Sequence, residues 1–339
     1  MFVCPACRGP LVASATAYEC RPCRNRYPIV CGIPDFRLAP DPYIGMAEDR
    51  RKAERLIEES PHRTFEQLLR HYYAVTPEDP PDLAERWTAR ALAEVEIASG
   101  LAAAARWSAP AGARLLDVGC STGALLVALA ARHPDGTGVD VALRWLAIGR
   151  VRLREARIEA TLVCANAEHL PFPDGAFGVL TCVDTLEHLS DAAAAMREAH
   201  RVSATGAPLW CTANNRLAPL PEPNIHLWGV GYLPRRWQAR YVRWRRRDLH
   251  PYRIRLLTAG DLEARARDAG YEGVTVGPAP IVAPHASPAM RRALRLYERL
   301  RAQPITASLL KALGPRLLLT ARATAAKRPS PSATGRAGW

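Results

Sequence analysis

The sequence predicts an α/β protein in which a doubly wound sheet follows a small cysteine-rich ribbon and a set of helices. Three observations predict it. Residues 113–132, ARLLDVGCSTGALLVALAAR, read as a buried strand (Leu115 to Val118), a tight glycine turn (Gly119 to Gly123) and a helix. Thr137 to Val139, ending at Asp140, is a second strand, so the stretch is a βαβ unit, the start of a doubly wound sheet. Residues 4–23, CPACRGPLVASATAYECRPC, hold two CxxC pairs twelve residues apart.

Composition bounds the rest. At 339 residues and 48% hydrophobic content, the chain can bury one full-sized α/β domain plus smaller attachments. Five of the nine cysteines precede residue 32, and Cys120, Cys164, Cys182 and Cys211 lie singly in apolar runs. That usage predicts a reduced, cytoplasmic chain with one metal cluster, not a disulfide framework. The N-terminus lacks the basic start and apolar stretch of a signal peptide, and no window approaches eighteen apolar residues. The net charge of +13 is concentrated: residues 234–255 carry +8 and residues 286–339 carry +10, leaving −5 elsewhere. Such patches suit RNA, an anionic lipid surface or a phosphorylated substrate, or are a solvated arginine-rich surface. DNA is not an expected partner.

In the ribbon, each CxxC can turn two thiolates toward one point, and Cys4, Cys7, Cys20 and Cys23 together supply the tetrahedral four-sulfur set that Zn²⁺ favours. Four thiolates leave no open coordination position, so the ion is expected to be structural; redox dithiols are the rival reading. The exit, Tyr27-Pro28-Ile29 and Gly32-Ile33-Pro34, resembles the end of the Trm112-like zinc ribbons. That resemblance covers residues 1–37 and implies a methyltransferase as partner or fused domain.

Residues 38–110 show no strand signals and predict about three helices around Pro-rich breaks, with Phe65, Tyr72, Tyr73 and Trp87 as core candidates. The main α/β domain is expected over 111–282, interrupted by an insertion at 217–255.

The spacing of the first turn selects its ligand. A dinucleotide fingerprint needs G-x-G-x-x-G, whereas here the pattern is Asp117-x-Gly119-x-x-x-Gly123, with Cys120 and Ser121 inside the turn. An acidic residue opening the loop repels a pyrophosphate but can orient the ammonium of an amino acid. Asp140, followed by Val141, is placed to accept the hydroxyls of a ribose. An amino-acid end, a ribose and no phosphate describe S-adenosylmethionine.

From residue 112 to 216 the chain resembles the class I S-adenosylmethionine-dependent methyltransferases, whose sheet is Rossmann-like and seven-stranded. NAEHLPFPDGAF (166–177) resembles their D-A-E-x-L-P-F-x-D-x-x-F segment, and Leu186-Glu187-His188 their frequent L-E-H. The match is closest to the ubiquinone and menaquinone methyltransferases. It implies that Asp117, Gly119 and Gly123 form the glycine-rich loop, that Asp140 holds ribose, and that Asn166 and Ala167 lie against adenine. Asn166 replaces the usual Asp, and Gly178 stands where an Asp normally follows the phenylalanine.

A sulfonium methyl is already activated, so catalysis reduces to alignment, exclusion of water and removal of a proton. Candidate bases are His188 and Asp184, at the exit of the fourth strand, and Glu222 and His226 beyond the fifth; Asp184 is also a cofactor-contact candidate. The insertion, rich in Trp, Arg and Pro, is expected to cap the acceptor pocket. Residues 283–339 read as a basic amphipathic helical tail, apt for an anionic membrane surface or the enzyme's own core, with 327–339 disordered. Two acceptor classes follow: a small or lipid-linked molecule, or RNA, since a ribbon before this domain also resembles the large-subunit rRNA guanine methyltransferases. A non-catalytic scaffold that binds cofactor is a third reading.

Overall fold

The computed structural model describes residues 2–76, 79–104, 109–247 and 252–325. Four short antiparallel strands form the ribbon: β1 (Leu11–Ala13), β2 (Ala17–Cys20), β3 (Arg26–Val30) and β4 (Ile33–Pro34). Three helices follow, α1 (Met46–Glu59), α2 (Phe65–Ala74) and α3 (Pro81–Ala104), as the periodicity predicts. Thr64 and Gln67 close a reciprocal capping box at the start of α2.

The main domain runs β5 (Leu115–Val118), α4 (Ala124–Leu129), β6 (Thr137–Asp140), α5 (Leu143–Ala156), β7 (Thr161–Cys164), β8 (Val179–Val183), α6 (Ala192–Val202) and β9 (Pro208–Asn214). After the insertion, with α7 (Arg235–Arg245), come α8 (Ala259–Asp268), β10 (Tyr271–Pro278), α9 (Pro288–Ala302), α10 (Pro304–Leu313) and β11 (Arg316–Ala323). The seven-stranded sheet is ordered β10-β11-β9-β8-β5-β6-β7, with β11 antiparallel to both neighbours. The order reverses at β5, which places a crevice at the carboxyl ends of β5 and β8.

The C-terminal expectation is corrected here. Residues 316–323 are a central strand, not part of an amphipathic tail. Leu317, Leu319, Ala321 and Ala323 are buried in strict alternation, and the register against Pro208 to Asn214 is continuous. The Leu-Leu-Leu run gives no period of its own, so a buried strand and a helix are indistinguishable in it. Gly314-Pro315 ends α10 and releases the chain into the sheet. The domain expected to close at 282 therefore extends to 323, and α9 with α10 is a helical hairpin inserted between its last two strands. The disorder expected at 327–339 lies outside the described residues.

The ribbon is welded to the sheet's β7 edge. Asp35 bridges Cys164 in parallel sense, and the Phe36 amide donates to the Cys164 carbonyl at 2.7 Å. Phe36 is fully buried among Phe2, Tyr18 and Tyr27, so an edge that would otherwise invite foreign pairing is covered.

Just beyond the weld, six charged side chains interlock. Arg37 donates to Asp35 (2.8 Å) and to Asp49 on α1 (2.6 Å), and it also donates to the Val141 carbonyl (3.0 Å). Arg50 reaches Asp35 at 2.8 Å, and Arg144 on α5 reaches Asp49 (2.8 Å) and Asp41 (3.0 Å). Asp35, Arg37 and Asp49 side chains are inaccessible to solvent. Burial opposes ionisation of Asp35, but the Arg37 and Arg50 guanidiniums outweigh it and hold the carboxyl below its usual range. Removing one partner strands the others as buried charges. Arg144→Ala is expected to lower the unfolding free energy by about 3–5 kcal/mol, read from the urea midpoint.

Candidate active site

Strand β5 ends at Asp117, and the chain then turns sharply through Gly119 (φ +77°) and Gly123 (φ +74°). At Gly119 the requirement is absolute: a Cβ there would stand 2.1 Å from the Thr185 hydroxyl. The turn folds over β6, with the Gly119 and Cys120 amides both donating to the Val139 carbonyl. Asp140, at the end of β6, accepts from the Ser121 amide (2.9 Å) and the Ala142 amide (2.8 Å). Asp117 accepts from the Thr181 hydroxyl at 2.8 Å. Burial pushes the Asp117 carboxyl up to about 7, and burial likewise raises Asp140 to about 6. Two desolvated carboxyls beside one cavity are suited to a cationic ligand, whose charge draws both toward the ionised form.

The cavity holds about 1180 Å³ and is lined by Asp117, Gly119 to Thr122, Asp140, Val141, Asn166 and Ala167, with Gly123 outside the lining. That exceeds the roughly 300–1,000 Å³ of a single-ligand site, so a cofactor and an acceptor fit side by side. One wall comes from α3, where Trp87, Arg90 and Glu94 face the cavity, and the opposite side from Asn224, Ile225 and Val242 of the insertion. The Trp87 indole donates to the Asn224 carbonyl (3.3 Å), and Asp82 pairs with Arg246 (3.0 Å), joining the two walls. The insertion packs a small core of its own, Ile225, Leu227, Val230 and Val242. Its Pro223, Asn224, Ile225 and Val242 line the cavity.

Asn166 lines the cavity and is also tied to the ribbon exit. Its Oδ1 accepts from the Leu38 (2.8 Å) and Ala39 (3.1 Å) amides, and its Nδ2 donates to the Ala39 carbonyl (3.2 Å). An aspartate could make the first two bonds but not the third, which accounts for an asparagine here. The side chain fastens the ribbon exit across the cofactor end of the cavity, and no motif in residues 38–43 announces that contact.

The four candidate bases separate. Asp184 sits at φ +50° and lines the cavity, but Arg316 (2.7 and 2.8 Å), Arg90 (3.1 Å) and the Thr212 hydroxyl (2.9 Å) all bind its carboxylate. Burial works against the charge and the two arginines overcome it, so its pKa is lowered. A carboxylate so held is a poor proton acceptor and an effective anchor. Glu222 accepts from the Asn224 side chain and from the Asn224 and Ile225 amides, which makes it the organiser of the cap loop. His226 is exposed, lies outside the cavity lining, and faces Arg86. The structure therefore corrects Glu222 and His226 as bases: neither side chain faces the cavity. His188 does face it, and burial lowers its pKa, keeping the imidazole neutral.

Sequence reasoning missed four residues of this end. Arg316 is delivered by β11, whose antiparallel entry starts at the carboxyl edge of the sheet. Arg90 comes from α3. The Tyr252 hydroxyl and the Thr76 hydroxyl are buried without a hydrogen-bond partner among the described residues, and both residues line the cavity.

In the ribbon, the four cysteine sulfurs lie within 4.8 Å of one another. Cys4 and Cys23 sulfurs are 3.6 Å apart and Cys7 and Cys20 sulfurs 3.4 Å, far beyond a disulfide and near the roughly 3.8 Å edge of a tetrahedron with about 2.3 Å metal–sulfur bonds. Both knuckles close identically, with Arg8 and Arg24 in the left-handed region right after the second cysteine.

Loss of the Asn166 latch has a direct readout. Asn166→Ala is expected to speed amide exchange at Leu38 and Ala39 by about tenfold, the size of one to two hydrogen bonds, with Asn166→Asp falling between.

A family profile described as a methyltransferase domain matches residues 116–211. A ubiquinone biosynthesis O-methyltransferase of Pseudomonas paraeruginosa is 31% identical over 175 residues, covering 50% of this chain and 70% of that protein. A demethylmenaquinone methyltransferase of Roseiflexus sp. is 40% identical over 104 residues, 30% of this chain and 43% of the other. An S-adenosylmethionine-dependent methyltransferase from Mesorhizobium loti of solved structure is 18% identical, covering 67% of this chain and 99% of that one, with a TM-score of 0.45. By the ubiquinone biosynthesis O-methyltransferase match and the methyltransferase-domain profile, the chain belongs to the S-adenosylmethionine-dependent methyltransferases.

Proposed function

We propose that this enzyme methylates a hydroxyl of a small, planar, uncharged acceptor, of the kind carried by quinone precursors, with His188 as the base. The observation that supports it most directly is the pairing of a neutral His188 imidazole with the unpartnered Thr76 and Tyr252 hydroxyls around one cavity. Burial, with Glu222 and Tyr43 nearby, raises the Tyr252 pKa, so its hydroxyl stays protonated and available as a donor to an acceptor oxygen. Tyr72, Tyr73, Trp87 and Trp145 add aromatic surface suited to a flat ring. The two relatives, a ubiquinone biosynthesis O-methyltransferase and a demethylmenaquinone methyltransferase, support the same reading.

S-adenosylmethionine, when bound, supplies an electrophilic methyl group. Asp117 and Asp140 would hold its ammonium and ribose ends, and both fit: Asp117 is buried and Asp140 half-buried, both adjoin the turn, and neither forms an ion pair among the described residues. Asp184, clamped by Arg90 and Arg316, fixes the strand exit from which His188 projects. His188 takes the acceptor's proton, and α3 with the cap excludes water. The ribbon's four thiolates would hold a structural Zn²⁺, a closed set with no chemical role.

Methyl transfer to hydroxylated aromatic acceptors, followed by mass spectrometry, tests this assignment. His188→Gln should lower kcat by about 10²–10⁴ while leaving cofactor affinity unchanged by calorimetry. Because the imidazole acts when neutral and its pKa is lowered, the native rate should fall only as pH drops below about 6.5, and His188→Gln should lack that limb. A variant that keeps both rate and limb removes His188 as the base.

A further inference from the structure

We infer that α7 and the α9–α10 hairpin form a surface that docks on an anionic lipid bilayer. Helix α7 has two faces. Gln238 and Val242 are buried, Tyr241 packs beside Val242 on the insertion's core, and Val242 lines the cavity, whereas Trp237, Arg240 and Trp244 fall at i, i+3 and i+7 along the outer face. Trp244 is 67% exposed, Trp237 48%, and the neighbouring Trp228 59%. The eleven residues of α7 include five arginines and no acid, and among the described residues none of the five forms an ion pair. Arg240 and Arg245 instead lie over the rings of Trp237 and Trp244.

The hairpin repeats the pattern with aliphatic side chains. Neither α9 nor α10 has a buried residue. On α10, Ile305 (88% exposed), Leu309 (60%) and Leu313 (44%) form one stripe at i, i+4 and i+8. On α9, Met290 and Leu296 are exposed beside Arg291, Arg292, Arg295 and Arg299. Both elements flank one end of the sheet. The Asn215 side chain, just past β9 where the insertion begins, donates to the carbonyls that end α10. Tyr232 and Leu220 of the insertion share a small cleft with Pro315.

The chemistry favours a bilayer over the other occupants. Nucleic acid offers stacking partners to the tryptophans and phosphates to the arginines, but nothing to an exposed Ile-Leu-Leu stripe. A second copy would bring the same arginines into opposition. An anionic membrane satisfies all three, with arginines at the headgroups, indoles at the interface and the aliphatic stripe in the acyl boundary. The sequence assigned membrane contact to the tail as one helix; since residues 316–323 belong to the sheet, the contact lies on α7 and the hairpin instead. This placement does not depend on the acceptor's identity.

Flotation of the full chain with vesicles tests it. The protein should float with equimolar phosphatidylglycerol and phosphatidylcholine and not with phosphatidylcholine alone. Removing charge, as in Arg240→Ala or Arg243→Ala, should weaken binding about fivefold per arginine, from roughly 1 kcal/mol per charge near the surface. Ile305→Ser with Leu309→Ser should release the protein while S-adenosylmethionine affinity stays native, which separates lost docking from lost folding. Failure to float with anionic vesicles overturns the inference. So does flotation indifferent to the Ile305 and Leu309 changes, or displacement by an RNA oligonucleotide that binds those variants as tightly as the native chain.

Discussion

The structure depends on the buried ion network of Asp35, Arg37, Asp41, Asp49, Arg50 and Arg144. It is the only place among the described residues where the ribbon exit, the first helix and the helix after Asp140 meet through charge. Arg37 donates to the Val141 carbonyl, and Asp49 accepts from the Leu143 amide, so the network holds the loop between Asp140 and α5 from both sides. Such a network contributes little net stability over a well-packed apolar one. What it contributes is position, because each charge is tolerated only where its partners are.

From that fixed corner the cavity is assembled outward. Asn166 ties residues 38 and 39 down, the loop beyond them supplies Tyr43, and α3 crosses to meet the insertion through Trp87 and Asp82. At the far end, Arg316 and Arg90 converge on Asp184. The active site is therefore a chamber between the sheet and two attachments, anchored by one charge cluster at each end. The ribbon's four-cysteine cluster does not line the cavity, yet its exit strand begins the chain of contacts that ends at the cofactor loop.

Much of this was legible in the sequence. The turn from Asp117 to Gly123 carries its own steric reason, since Gly119 packs against Thr185 and no other residue fits. The four cysteines announce their geometry through spacing alone. Asp140 is placed by the length of the unit before it. Other features were not legible. Residues 316–323 were hidden because an unbroken leucine run has no period, and Arg316 was hidden with them. Asp184 looked like a base because position at a strand exit says nothing of the two arginines that reach it from distant segments. Glu222 and His226 shared the right loop, but the loop folds so that one carboxylate caps its own amides and the imidazole faces outward. For Asn166 the sequence carried no sign that its amide nitrogen has a partner, the Ala39 carbonyl, that an aspartate could not serve.

The central claim is that the ribbon exit and the cofactor loop are one mechanical unit. Calorimetric titration of S-adenosylmethionine into Asp49→Asn tests it most directly, since that change keeps the side-chain shape, removes one charge, and lies outside the cavity lining. The account predicts a native near-ultraviolet circular dichroism spectrum with a dissociation constant raised about tenfold or more, the equivalent of roughly 1.4 kcal/mol lost from the loop's alignment. A folded Asp49→Asn protein that binds the cofactor with native affinity would contradict it.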